Sequence, residues 1–476
     1  MRTWIEACID NPFLTRQLRT RMRGTRAYGV LGIWLGSLSV VLTAVYLSWL
    51  GRQDRSFQGA DSAYLLGTEW NSVLLMVQAA LVVLVTPALA TGAIAGEREQ
   101  RTMDLLVSGG VPPGRMVAGK LAGILVFQGW LLLCTLPMSA VGFLMGGVSG
   151  AQVATGYLLL FSSAIVCAST GLAISAACRT TVSATLFTYV ALIAGLVATA
   201  PLIWDGNSRT DVPVFRALHP FGLESGASTV QWAWYHGPGW VPAVVTQLLV
   251  AGALALSAVH RLGAPRRDLS AWVRLCVAAV AASLAVGLVA GDPLMFDGGD
   301  VIEKPRFVWA IPYAFAFLAS VTFATGAGLG EGARRSIARR LVSADPVSGG
   351  WFATVLAMLP GLVACGSAVL HADRTRWSHG VWMAADGAAW ALAMVAVCWN
   401  VSLRCGNRWL SLTISIAIPL VAISVLALAG QMLPNVSLVA DVLPVLAKHP
   451  KLATGTGAAI AVAGLGLLAA RRRMTA

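Results

Sequence analysis

Predominantly apolar runs of about 18–25 residues, each long enough to cross a bilayer as a helix, recur along the whole chain. They lie near residues 27–50, 72–95, 117–146, 151–177, 182–204, 241–260, 271–290, 308–330, 350–370, 381–402, 409–431 and 453–470. A run in hydrocarbon must satisfy its own backbone hydrogen bonds, which a helix does and a lone strand does not. The expected fold is therefore an all-α, polytopic transmembrane helical bundle of about 12 spans. Composition agrees. Asp, Glu, Lys and Arg make up 12% of the chain, about half the share of a soluble domain. So few charges cannot coat a soluble globule, which excludes a secreted, disordered or nucleic-acid-binding protein as the main reading.

The net charge of +13 could suggest a polyanionic partner, so its placement decides the matter. With the N-terminus inside, most cations fall in cytosolic segments: Arg16 to Arg26, Arg98, Arg101, Arg115, Lys120, Arg261 to Arg274, Arg334 to Arg340 and Arg471 to Arg473. The positive-inside rule accounts for the excess. The partner it implies is the lipid bilayer, not nucleic acid, and both termini are expected in the cytosol. Residues 1–26 are polar and arginine-rich, and the first apolar run is long enough to span, so no cleavable signal peptide is expected.

Little in the chain suits chemistry. Eight cysteines show no C-x-x-C spacing and read as small buried thiols. His371, His379 and Asp373 share one loop without a further nearby ligand, so no metal is expected. The longest stretch outside the spans is an outer loop over 205–240, too short for the ~50 or more residues of a catalytic domain. Gly114 to Leu121 nearly matches a phosphate-binding loop, but Leu121 replaces the hydroxyl that would hold magnesium. Gly147-Val-Ser-Gly150 resembles the serine motif of intramembrane proteases. Ser149 is nevertheless expected a bilayer thickness from His260, far outside the hydrogen-bond reach that a serine and its base need. No catalytic, cofactor-binding or metal-binding residue is expected on this chain.

The most informative segment follows the second run. Gly96-Glu-Arg-Glu-Gln-Arg-Thr-Met-Asp-Leu-Leu-Val-Ser-Gly-Gly110 reads as a short cytosolic helix over 97–108. Glu97 stands four residues before Arg101, the favourable order for an ion pair along a helix. Met103, Leu106 and Val107 form an apolar face, and Gly109-Gly110 with Pro112-Pro113 ends the helix. Two spans can be joined by a handful of residues, so some twenty with a helical pattern need a purpose.

Here the chain resembles the membrane subunits of type-2 ABC transporters. That family carries Glu-x-Glu-x-Gly-Thr after the second span, then a Leu-Leu pair, a Pro or Arg turn and a Gly-Lys. Glu97, Glu99, Thr102, Leu105, Leu106, Pro112, Arg115, Gly119 and Lys120 match in order, with Arg101 where the family has glycine. Residues 11–26 look like the family's interfacial amphipathic helix, assigned here to 1–26, and His219-Pro220-Phe221 is similar to its Asn-Pro-Phe. The resemblance implies that the helix docks in a groove on a separate ABC ATPase, apolar face inward. ATPase coupling would then fall to Glu97, Glu99, Arg101, Thr102, Leu105, Leu106 and Lys120. ATP and magnesium would be bound by the ATPase, expected in two copies, and a second permease chain is a further expected partner. The chain itself would be no enzyme.

Residues 90–97, Ala-Thr-Gly-Ala-Ile-Ala-Gly-Glu, return at 324–331 as Ala-Thr-Gly-Ala-Gly-Leu-Gly-Glu. A repeat near half the chain length implies two parallel six-span halves: 27–260, and a degenerate second half over 261–476. In the second copy Arg339-Arg340 replaces Leu105-Leu106, so the first-half helix is expected to be the main dock. Parallel six-span halves also describe transporters of the major facilitator type, the alternative reading, although that fold expects a tight loop after span two. A third class, a sensor or scaffold that does not transport, turns on polar residues within spans. Asp386 and Asn400 are the candidates for an in-membrane polar site, since a charge there is costly unless paired or wetted. The expectation overall is a multi-pass permease of a bacterial cytoplasmic membrane, exporting a substrate.

Overall fold

A computed structural model describes residues 25–53, 60–103, 112–199, 219–220, 229–232, 235–262, 274–282, 351–359, 362, 365, 381, 384–385 and 388–399. The chain divides into two compact units, Met1–Val277 and Ala278–Ala476. In the first, α1 (Thr25–Gln53), α2 (Ala60–Glu99), α3 (Pro113–Cys134), α4 (Leu136–Leu144), α5 (Gly150–Ala177) and α6 (Thr181–Thr199) follow one another. A two-stranded antiparallel hairpin, β1 (Thr229–Trp232) and β2 (Tyr235–Pro238), then leads into α7 (Trp240–Leu262). Among the described residues, five stretches are long and apolar enough to cross a membrane: Ala27–Leu50, Tyr64–Glu99, Pro113–Leu144, Gly150–Ala177 and Trp240–Leu262. Thr181–Ile193 is a shorter apolar helix.

The protein is thus an all-α integral membrane protein over these residues. Its exposed surface says the same. On α1, Ala27, Trp34, Leu38 and Leu42 are buried, one stripe at helical spacing. Ile33, Val40 and Leu47 stand 73%, 71% and 60% exposed on the opposite face, a surface that only lipid solvates well.

Helix α5 is the hub, packing on α2, α3, α6 and α7. Lipid supplies no hydrophobic drive between helices, so small residues that allow close approach do the work instead. Helix α5 buries Gly156, Ser162, Ser163, Ala164, Ala168, Gly171 and Ser175. At Gly171 the contact is closest: a Cβ there would lie 2.6 Å from that of Ala90 on α2. Helix α5 begins with a capping box. Ser149 Oγ accepts from the Gln152 amide at 3.2 Å, and the Gln152 side chain accepts from the Ser149 amide at 2.8 Å. The hydroxyl that resembled a protease serine is a helix cap.

The run expected as one span over 117–146 is two helices, α3 and α4, broken at Thr135. Pro137 has no N–H to offer the Leu133 carbonyl, which breaks the ladder. The near-match to a phosphate-binding loop is the first two turns of α3, opened by Pro113 in the position a helix tolerates.

In the second unit, helical residues 351–359 and 388–399 contribute Ala357 and Ala391 to a small core with Trp390 against it. The second copy of the repeat at 324–331, Asp386, Asn400, and most of the expected spans beyond residue 290 lie outside the described residues. So do the amphipathic segment 1–24 and most of the loop 205–240.

Candidate coupling site

Helix α2 does not end with its apolar run. It continues through Gly96, Glu97 and Arg98 to Glu99, so residues 97–99, expected to open a separate helix over 97–108, are the last turn of α2. Its 40 residues measure about 60 Å at 1.5 Å each, twice a hydrocarbon core of ~30 Å.

The helix then stops at a defined turn. The Arg101 amide donates to the Arg98 carbonyl at 3.2 Å, and the Thr102 amide to the Glu97 carbonyl at 3.0 Å. Arg101 has φ of 55°, the left-handed conformation in which this capping motif ordinarily places glycine. The departure noted in the sequence therefore stands where backbone geometry favours glycine, at the turn that ends the helix. Met103 is helical again. Residues 104–111, with Leu105 and Leu106, lie outside the described residues.

Four charged side chains of this region have defined partners. Glu97 does not pair with Arg101. Its Oε2 lies 2.7 Å from Lys120 Nζ, two turns into α3. The Lys120 side chain is 2% exposed and that of Glu97 25%, and the ammonium also donates to the Ala93 carbonyl. A lysine expected as a cytosolic anchor is buried between helices. Arg98 donates from Nη1 to the Cys178 carbonyl at 2.7 Å and from Nη2 to that of Ala176 at 3.3 Å. Glu99 accepts from Thr181, its amide at 2.9 Å and its hydroxyl at 2.7 Å. Arg179, between α5 and α6, is exposed.

One helical turn away, Ser175 of α5 reaches into α2. Its hydroxyl donates to the Thr91 carbonyl at 2.6 Å and accepts from the amides of Ile94 and Ala95 at 3.2 and 2.9 Å. Thr185 of α6 donates to the Thr91 hydroxyl at 3.0 Å. Arg98, Ser175 and Thr181 join this cluster without having been singled out as candidates in the sequence. The Glu-Arg-Glu alternation hinted at partners for the charges without saying which.

Several interior polar residues are paired across helices. Gln78 donates to Thr135 at 2.8 Å and to Tyr157 at 3.2 Å, and Thr86 donates to Gln128 at 3.1 Å. Gln247 lies between Ser162 and Ser163. Such bonds hold helices together where lipid offers no competing partner. His219 is 5% exposed. Burial pushes its imidazole below the ordinary value, and a hydrogen bond with the Leu196 backbone partly offsets this.

Residues 22–210 match the model of a family described as ABC-2 family transporter protein. No curated protein and no solved structure matches the chain.

Proposed function

Since residues 22–210 match the model of the ABC-2 family transporter proteins, we propose that the chain is the non-catalytic permease of an ATP-driven exporter in a bacterial cytoplasmic membrane. Two copies of a separate ABC ATPase bind ATP and magnesium, and a second permease chain completes the membrane part where one chain does not suffice. Both termini face the cytosol. The segment running from Glu97 through Lys120 is the coupling element. Leu105 and Leu106 supply its apolar face, Glu97, Glu99 and Lys120 tie it to the bundle, and Arg101 and Thr102 form the turn at the end of α2. Asp386 and Asn400 are an in-membrane polar site in the second half.

One observation carries this reading: α2 runs unbroken from within the apolar bundle to Glu99, and its last turn is tied to α3, α5 and α6 by charge-assisted bonds. A loop that merely joined two spans would need none of these ties. Interfaces and packed helices pass on motion as rigid bodies, so a docked ATPase at 103–112 would move α2 directly. The test is co-purification. The full-length chain in mild detergent should retain an ABC ATPase, and replacing 103–110 by a Gly-Ser linker should release it. A chain that purifies without any ATPase and moves solute down an ion gradient would overturn the reading in favour of a facilitator.

A further inference from the structure

Arg98 and Glu99 are neighbours of opposite charge, and each holds one end of the same break in the chain. Helix α5 ends at Ala177 and α6 begins at Thr181, leaving only Cys178, Arg179 and Thr180 between them. The last carbonyls of a helix are unpaired and carry partial negative charge, while the first amides carry partial positive charge. The Arg98 guanidinium takes two carbonyls at the end of α5, and the Glu99 carboxylate takes the first amide of α6 together with its hydroxyl. Sign and geometry match at both ends. Bonds of this kind to an ionised group are short and roughly twice as strong as neutral ones.

We propose that Arg98 and Glu99 are positioning residues that clamp the α5–α6 connector to the end of α2, so that the last turns of α2 and α5 and the first turn of α6 move as one body. The carboxylate oxygens of Glu99 face Thr181, so Glu99 acts on the ATPase through the bundle and not by contact. Ser175 and Thr185 extend the same block one turn deeper, where α5 and α6 are both tied to Thr91. A push on the α2–α3 connector would then turn three helices, not one. That consequence and the action of Glu99 on an ATPase rest on the coupling reading; the clamp itself does not.

The experiment uses the full-length chain in lipid nanodiscs, alone and with its co-purified ATPase. Spin labels are introduced at Gln100 and Arg179, both exposed, as an unnatural amino acid that leaves the native cysteines in place. The expected continuous-wave spectrum shows dipolar broadening that is the same in the nucleotide-free and the vanadate-trapped complex. Arg98→Ala with Glu99→Ala should lose the broadening. Arg98→Lys, which keeps the charge but cannot span two carbonyls, should retain part of it. Thr181→Val, which leaves α2 untouched, should weaken it and decides the matter if the double variant does not fold. Broadening that survives both Thr181→Val and the double substitution, or that changes with nucleotide in the unsubstituted chain, overturns the clamp. Loss of ATPase capture with intact broadening would instead count against the coupling reading alone.

Discussion

Glu97 of α2 and Lys120 of α3 meet at 2.7 Å, with the ammonium sealed from water and the carboxylate still reaching it. The two partners are therefore unequal. Removing the acid strands a buried cation, whereas removing the cation strands an anion that can hydrate.

Glu97→Gln should destabilise the protein by about 3 kcal/mol, since the buried ammonium keeps the Ala93 carbonyl but loses its counter-ion. Lys120→Met, which fills the same space without charge, should cost about 1 kcal/mol or less. Thermal unfolding midpoints in one detergent compare them directly. A larger loss for Lys120→Met would show that the pair is not asymmetric.

Arg101 occupies a left-handed conformation that costs a residue with a Cβ roughly 1 kcal/mol. Arg101→Gly keeps both capping hydrogen bonds and relieves that cost, so the midpoint should rise. Arg101→Val should lower it, because a branched side chain tolerates positive φ least. Equal midpoints for the two would mean that the turn does not hold this geometry in solution.

Gly171→Ala would place a methyl 2.6 Å from that of Ala90 and should cost about 1–3 kcal/mol, as overpacking does. Ala90→Gly in the same chain removes the clash and should return most of the loss. The double-mutant cycle is the measurement. Simple additivity would deny that α2 and α5 cross at these residues.

His219 gives a pH dependence with a defined sign. Its folded value is depressed by burial from the ordinary 6.5, so the unfolded chain binds the proton more readily than the folded one. Its contribution is present above the ordinary value and is lost as pH falls below it. The unfolding midpoint should fall on acidification through that window, and His219→Gln should flatten this part of the profile. An unchanged profile would show that the imidazole is not held neutral.

The apolar runs were legible because hydrocarbon imposes one rule on every residue of a span. Among the described residues, five helical stretches are long and apolar enough to cross, one of them the kinked pair α3 and α4. What was not legible depends on partners. Gly96-Glu-Arg-Glu interrupts the apolar pattern but not the helix, so hydropathy ended α2 too early. Lys120 looked like an anchor because a lone lysine belongs in water, and only the fold brings Glu97 to it. The break at Thr135 was written in Pro137, inside a run whose hydropathy hid it. Arg98 and Glu99 reach a connector some eighty residues downstream, a distance over which no local spacing signals contact. The motif residues were found by resemblance, and their bonding by geometry.

Burying Lys120 two turns inside α3 also has a consequence for how the protein is made. A lysine at the centre of a spanning helix costs about 2.5–3.5 kcal/mol to insert, and one two turns from the helix end costs less but still something. The ribosome makes the chain from its N-terminus, so Glu97 is synthesised before Lys120 and α2 is inserted before α3. When the cation leaves the translocon, its counter-ion already stands at the end of the preceding helix. Having the acid in place first is expected to lower the insertion cost relative to a lysine without a counter-ion, which comparing membrane insertion of the Glu97→Gln chain with that of the unsubstituted one would check.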